Sequence, residues 1–191
     1  MTALNRNPSN IDLLQSTKFR VTFARLPGIT YFCNSANLPG ISLTEIPMPT
    51  PFVDLYLPGE KAVYDTFNLT FLVDEDLRAW TEIHDWIRGA TFPTNFEEYV
   101  NLKRSQPTTN IRAISTKPSV YTDATLTIYS SKNNPNFRVK FIDVFPTTVG
   151  SLLFSASDSA ENIITADATF RFSYYNYERL KEVGVAEPGA A

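Results

Sequence analysis

Residues 137–146 read FRVKFIDVFP, and the phase of this stretch decides the fold. Phe137, Val139 and Phe141 share one face of an extended strand, with Arg138 and Lys140 on the other. The pattern then inverts: Ile142 and Val144 belong to the face that Arg138 and Lys140 began. A bulge, or a switch of the strand between sheets near Phe141-Ile142, reconciles the two phases.

Strand-like runs lie on both sides. KFRVTF alternates Phe19, Val21 and Phe23 with Lys18, Arg20 and Thr22. LPG at 26–28 reads as a turn, ITYFCNSA (29–36) as the second strand, and LPG recurs at 38–40. In YDTFNLTFLV, Phe67, Leu69 and Phe71 alternate with Asn68 and Thr70. ATLTIYSS (124–131) leads through the turn KNNPN into the opening strand. SLLFSAS is a short extended piece, and ATFRFSYY (168–175) is the last strand, with Phe170, Phe172 and Tyr174 inward.

One helix is expected over 75–88, EDLRAWTEIHDWIR, with Leu77, Trp80, Ile83, His84 and Ile87 on its packing face. Asp74 suits its N-cap, and Gly89 the position just past its end. NFEEYVNLKRS is a candidate short helix, followed by a polar surface loop. Roughly seven or eight strands and one amphipathic helix give a mainly β class: an antiparallel sandwich or barrel with the helix packed on it. The expected divisions are an N-terminal extension (1–17), one domain (18–178) with an insert at 91–120, and a flexible tail (179–191).

Composition agrees. The 191 residues are 43% hydrophobic and 19% charged, enough for a real core and against wholesale disorder. A net charge of −3 disfavours stable nucleic-acid binding, though not a wall that nucleic acid slides past. Neither a signal-peptide core nor a run of transmembrane length is seen, which points to assembly in a cytoplasm.

Catalytic chemistry is not indicated. His84, the single histidine, lies on the helix's apolar face and reads as a packed side chain. Cys33, the single cysteine, reads as a small apolar group. Asp74-Glu75-Asp76 lacks the spacing of a calcium loop and suits a helix start instead. No phosphate-binding glycine loop, metal cluster or cofactor motif is present, so the chain reads as a non-enzyme without cofactor.

One segment resists placement. Residues 41–66 contain IPMPTPFVDLYLPGEK (46–61), with Ile46, Met48, Phe52, Val53, Leu55, Tyr56 and Leu57 spaced among prolines. Pro58-Gly59 reads as a turn. The prolines keep the segment off a central sheet position. It is either a loop folded over its own domain or an arm covered by a neighbouring subunit.

Three ordered stretches, TYFCNSANLPGISLTEIP, PGEKAVYDTFNLTFLVDEDLRAWTEIHDWI and FPTTVGSLLFSASDSAENIITADATFRFSYYN, resemble the tail tube proteins of contractile-tailed phages of the T-even type. The match covers about residues 29–90 and 121–176. It implies a tail tube fold: a β-sandwich flanked by a helix, with a long protruding hairpin. It also implies a structural virion protein whose hexameric rings stack into the inner tail tube, the conduit for DNA ejection. On this reading 41–66 is an inter-subunit arm (Ile46, Met48, Phe52, Val53, Leu55, Tyr56, Leu57), with Pro58 and Gly59 at its tip. Asn68, Thr70, Thr125, Thr127, Arg138 and Lys140 are the lumen candidates. Implied partners are further copies of the chain, the sheath, baseplate and terminator proteins, and DNA in transit, with no stable membrane association. The 95–119 insert and the N-terminus depart from the pattern, which keeps a baseplate tube initiator, or the tube of a related injection system, as the alternative. A monomeric β-sandwich binding module is the competing reading from another class.

Overall fold

Asp143 has a left-handed backbone, φ 57°, and there one long strand passes from one sheet to another. The structure is a computed structural model that describes residues 13–91, 93–104, 120–155 and 163–180. Most of the expected N-terminal extension, much of the 91–120 insert and the tail beyond residue 180 lie outside the described residues. In chain order the elements are β1 (Phe19–Phe23), α1 (Pro27–Phe32), β2 (Cys33–Ala36), β3 (Ile41–Pro49), β4 (Asp54–Tyr64), β5 (Phe67–Leu72), α2 (Arg78–Thr91), α3 (Glu97–Arg104), β6 (Thr122–Tyr129), β7 (Pro135–Val149), β8 (Thr165–Arg171) and β9 (Tyr174–Arg179).

β7 pairs with β6 as far as Val144 on one side and with β9 as far as Ile142 on the other; from Phe145 it pairs with β8. The result is two half-sheets sharing one strand, β1-β6-β7-β9 and β7-β8-β5-β2, antiparallel throughout. Both devices the sequence allowed are used: the register slips by one residue between Phe141 and Val144 opposite Thr122–Ala124, and beyond it β7 crosses to the other sheet. Aspartate tolerates the left-handed conformation better than most residues. The half-sheets face each other across an aromatic core: Phe67 stacks on Phe141 with centroids 4.5 Å apart, and Phe23 meets Phe170 at 5.1 Å. Phe67, Phe141, Phe170 and Val139 are fully buried.

Several expectations are corrected. Residues 29–32 are helical, not extended: Pro27 stands at the first turn of α1, where its missing N–H costs nothing, and the strand begins only at Cys33. The expected last strand is two strands. A break at Phe172-Ser173 shifts the phase, so Tyr174 points outward and the partly buried Tyr175 packs toward Phe141.

The main helix starts three residues later than expected. Leu77 (φ 53°) precedes it, and its carbonyl accepts the first helical bond from Thr81 N at 2.8 Å. Asp74 is therefore too far upstream to cap, and its Oδ1 is buried without a hydrogen-bond partner. The buried stripe is Ala79, Ile83, Trp86 and Gly89, with Trp80 and Ile87 flanking it. Of the expected packing face, Ile83 is central, Trp80 and Ile87 lie beside the stripe, and Leu77 is outside the helix. Trp86, the largest fully buried side chain, was not on the expected face. Its indole N–H donates to Val120 O at 2.8 Å, while Trp80 donates to Gly150 O at 3.0 Å. These two bonds pin α2 to the segment ahead of β6 and to the residue just past the end of β7. Gly89 lies inside the helix, not past its end; a Cβ there would come within 2.9 Å of Leu102 Cβ on α3.

Candidate functional site

Pairing in the ribbon follows from where proline cannot donate. Among the described residues, strands β3 and β4 pair only with each other and stand apart from the main sheet. Pro47, Pro49 and Pro58 face Tyr56, Asp54 and Glu45 across the ribbon. All three fall on the same alternate set of pairs, so their ring nitrogens can face the ribbon's free edges and no ladder donor is lost. A two-stranded ribbon has two free edges, which is why so proline-rich a segment can still be β-structure.

The tip is at residues 50–53, not at Pro58-Gly59 as expected. Thr50 Oγ1 closes it, accepting from Val53 N at 3.2 Å and donating to Val53 O. Pro58-Gly59 lies within β4, at the irregularity where the register shifts between Leu43 and Glu45. A Cβ on Gly59 would sit 2.6 Å from Thr44 O, so only glycine permits this close approach.

Every residue of β3, and all of β4 except the half-buried Gly59 and Tyr64, is exposed. Ile46 lies opposite Leu57, and Met48 opposite Leu55, so these four side chains form one aliphatic face. Phe52 at the tip is 98% exposed. The root is fixed. Asn37 Nδ2 donates to Thr66 O at 3.0 Å, and Asn37 Oδ1 accepts from Asn68 N at 2.7 Å. Tyr64 packs between Phe172 and Tyr175, with centroids 5.6 and 5.2 Å away.

The lumen candidates do not share one surface. Phe67, Leu69 and Phe71 point into the core, so Asn68 and Thr70 lie on the outer face of β7-β8-β5-β2. Leu126 and Val139 also point inward, from the opposite side, so Thr125, Thr127, Arg138 and Lys140 lie on the outer face of β1-β6-β7-β9. A sandwich turns its two outer faces in opposite directions. On the first face Thr70 Oγ1 donates to Asp167 at 2.8 Å. On the second, Glu178 lies 3.8 Å from Arg138 and 3.5 Å from Lys140.

Between α1, α2 and α3 lies an open cleft of about 630 Å³ lined by Arg25, Glu82, Trp86, Arg88, Glu98 and Leu102, among others. Arg25 sits 4.9 Å above the Trp86 ring and donates to Leu102 O, and Arg88 pairs with Glu98 at 2.6 Å. Burial pushes the Glu82 carboxyl upward, and its Oε2 has no hydrogen-bond partner. His84 stacks on Trp80, centroids 5.0 Å apart, with Asp85 at 3.4 Å. Burial pushes the Cys33 thiol up to about 11. Among the described residues, no cluster of histidine, cysteine or acidic side chains could hold a metal ion, and no helix is long and apolar enough to cross a membrane.

Sheet order and ribbon together define a fold found in contractile particles. The tube-terminating cap of the anti-feeding prophage shares it with a TM-score of 0.58 at 15% identity, over 94% of this chain and 99% of that one. A chain of the sheath-tube complex of PVC, an extracellular contractile injection system, matches with a TM-score of 0.54 at 14% identity, over 88% and 93%. A chain of the same system's sheath/tube terminator also matches at 0.54, with 15% identity over 88% and 99%. No curated protein matches the sequence. Residues 9–178 match the model of the phage tail tube protein family, and the chain belongs to that family. It is a structural protein of the phage tail tube kind.

Proposed function

We propose that this chain closes into hexameric rings that stack into the inner tube of a contractile tail, a conduit for DNA. The observation that carries the reading is the β3-β4 ribbon. It is tied at its root, belongs to no larger sheet among the described residues, and exposes Ile46, Met48, Leu55 and Leu57 on one face and Phe52 at its tip. Apolar burial contributes about 25 cal/mol per Å², so a surface of this kind is a liability in a free subunit and a source of affinity in a polymer. The ribbon is then the inter-subunit arm, and the sheath, baseplate and terminator proteins are the partners of the finished tube. The exposed, structured arm supports this over the monomeric binding module.

The test is light scattering and negative-stain electron microscopy of the full chain beside an Ile46→Asp, Leu57→Asp double variant. Rings or tubes from the first, and a folded monomer from the second, are the expected pair. A parent protein that stays monomeric at every concentration overturns the reading. Counting copies per particle separates tube from initiator: many copies fit the tube, a handful the initiator ring.

A further inference from the structure

An open groove of about 530 Å³ lies between β1, α1 and the start of β2. Phe19, Val21, Pro27, Tyr31 and Cys33 give it apolar walls, and Arg20 is the one charged side chain among its described lining residues. We infer that this groove is the seat of the chain's own N-terminal segment, which folds back over it and buries Leu14 and Ile11 there. The inference concerns a single copy of the chain and does not depend on the tube reading.

The first argument is direction and reach. Lys18 N donates to Gln15 O at 3.4 Å, closing a four-residue turn immediately ahead of β1. Lys18 is itself held from the β6 side: its carbonyl accepts from Tyr129 N at 3.0 Å, and its ammonium donates to Ser131 O. The turn reverses the chain, so Leu14 comes opposite Phe19 and the residues before it head back along β1. One edge of β1 is taken by β6, which leaves the edge on the groove side. At the far end of that edge Phe23 N donates to Thr30 Oγ1 at 3.5 Å, so α1 closes it; at the near end Phe19 is only half-buried. The five residues of β1 span about 17 Å, whereas residues 1–14 can extend to roughly 45 Å.

The second argument is chemical match. Leu13 and Leu14, directly ahead of the turn, are 88% and 69% exposed, and Ile11 stands close upstream. Tyr31, on the groove's other wall, is 84% exposed. Bringing segment and groove together removes both apolar surfaces from water at once. The charges agree as well. Asp12 is the only acidic residue among residues 1–14, and it meets a groove whose one charged side chain is Arg20. Seated there, the segment also covers the free edge of β1, which would otherwise invite pairing with a strand from another molecule.

Cys33, the single cysteine, lines the groove and reports on its occupancy. Its alkylation by a small maleimide is followed in the full chain, in a Leu13→Asp, Leu14→Asp variant and in a chain lacking residues 2–12. A segment seated nine-tenths of the time shields the thiol about tenfold, so both variants are expected to react about ten times faster than the parent. Thermal melts verify that each is folded, and the two alterations back each other up should one fail. Equal rates in parent and folded variants overturn the inference. An Ile11→Cys chain then shows whose segment is seated. Under mild oxidation it is expected to form a disulfide with Cys33 within one chain, and Leu13→Asp, Leu14→Asp added to it should slow that step about tenfold. Crosslinking only between chains would put a neighbouring copy's segment in the groove and overturn the assignment. An unchanged rate in the Asp background would show a loose tether rather than a seat, and overturns it too.

Discussion

Gly59 lies against the backbone of Thr44, so close that a methyl group on it would fall 2.6 Å from the Thr44 carbonyl oxygen. The contact sits where the ribbon changes register and touches nothing in the core. Gly59→Ala is therefore expected to leave the thermal midpoint of the subunit nearly unchanged while distorting the outer ribbon. Polymer yield, followed by sedimentation, should fall sharply. Normal polymerisation would show that the ribbon's register is unimportant.

Trp86 is the packing anchor that joins α2 to the sandwich. Trp86→Phe removes the donor to Val120 O and leaves that carbonyl unpaired, at a cost of about 1–3 kcal/mol. Trp80→Phe removes a bond to Gly150 at a half-exposed position that water can reach, and should cost less, about 0.5–1.5 kcal/mol. Urea unfolding of both variants gives the order, and equal losses would contradict it.

Asp143 holds a positive φ where β7 changes sheets. A β-branched residue is disfavoured there, so Asp143→Val should destabilise by about 1–2 kcal/mol from backbone strain, together with loss of the 3.2 Å bond from Ser173 Oγ. Asp143→Gly loses the Ser173 bond but relieves the strain. Denaturation midpoints should rank the wild type and the glycine variant above valine.

Burial raises the Cys33 thiol from 9.0 to about 11. The folded state therefore holds this proton more tightly than the unfolded chain. The resulting stability is complete below pH 9 and is lost as pH rises toward 11. Across that window the wild type should lose more stability than Cys33→Ala, measured by urea midpoints at each pH. Parallel slopes would mean that the thiol is not desolvated. Alkylation at neutral pH should be slow for the same reason.

Much of this architecture could be read from alternation. The inverted phase between Phe141 and Val144 marked the sheet switch, because a residue period of two cannot slip without a backbone irregularity. What escaped was set by context. Ile29, Thr30, Tyr31 and Phe32 have strand-forming side chains, yet Pro27 ahead of them starts a short helix that buries Ile29. Pro58-Gly59 is a strong local turn signal, but the ribbon's free edge accommodates the proline and Thr44 makes room for the glycine, so the turn forms at Thr50–Val53 instead. Counting helical period from Leu77 displaced the packing face and hid Trp86. Alternation identifies two polar faces but not that they point opposite ways; that depends on which strands pair.

Strand β3 runs for nine residues, so the ribbon projects about 30 Å from its root. Its length cannot be tuned continuously. Removing one residue from each strand would turn every distal side chain to the opposite face, carrying Ile46 and Leu57 away from whatever they touch. Removing two from each would restore the faces and shorten the reach by about 7 Å. The ribbon is in that sense a ruler graduated in pairs, and any change in the spacing it spans must come in whole steps.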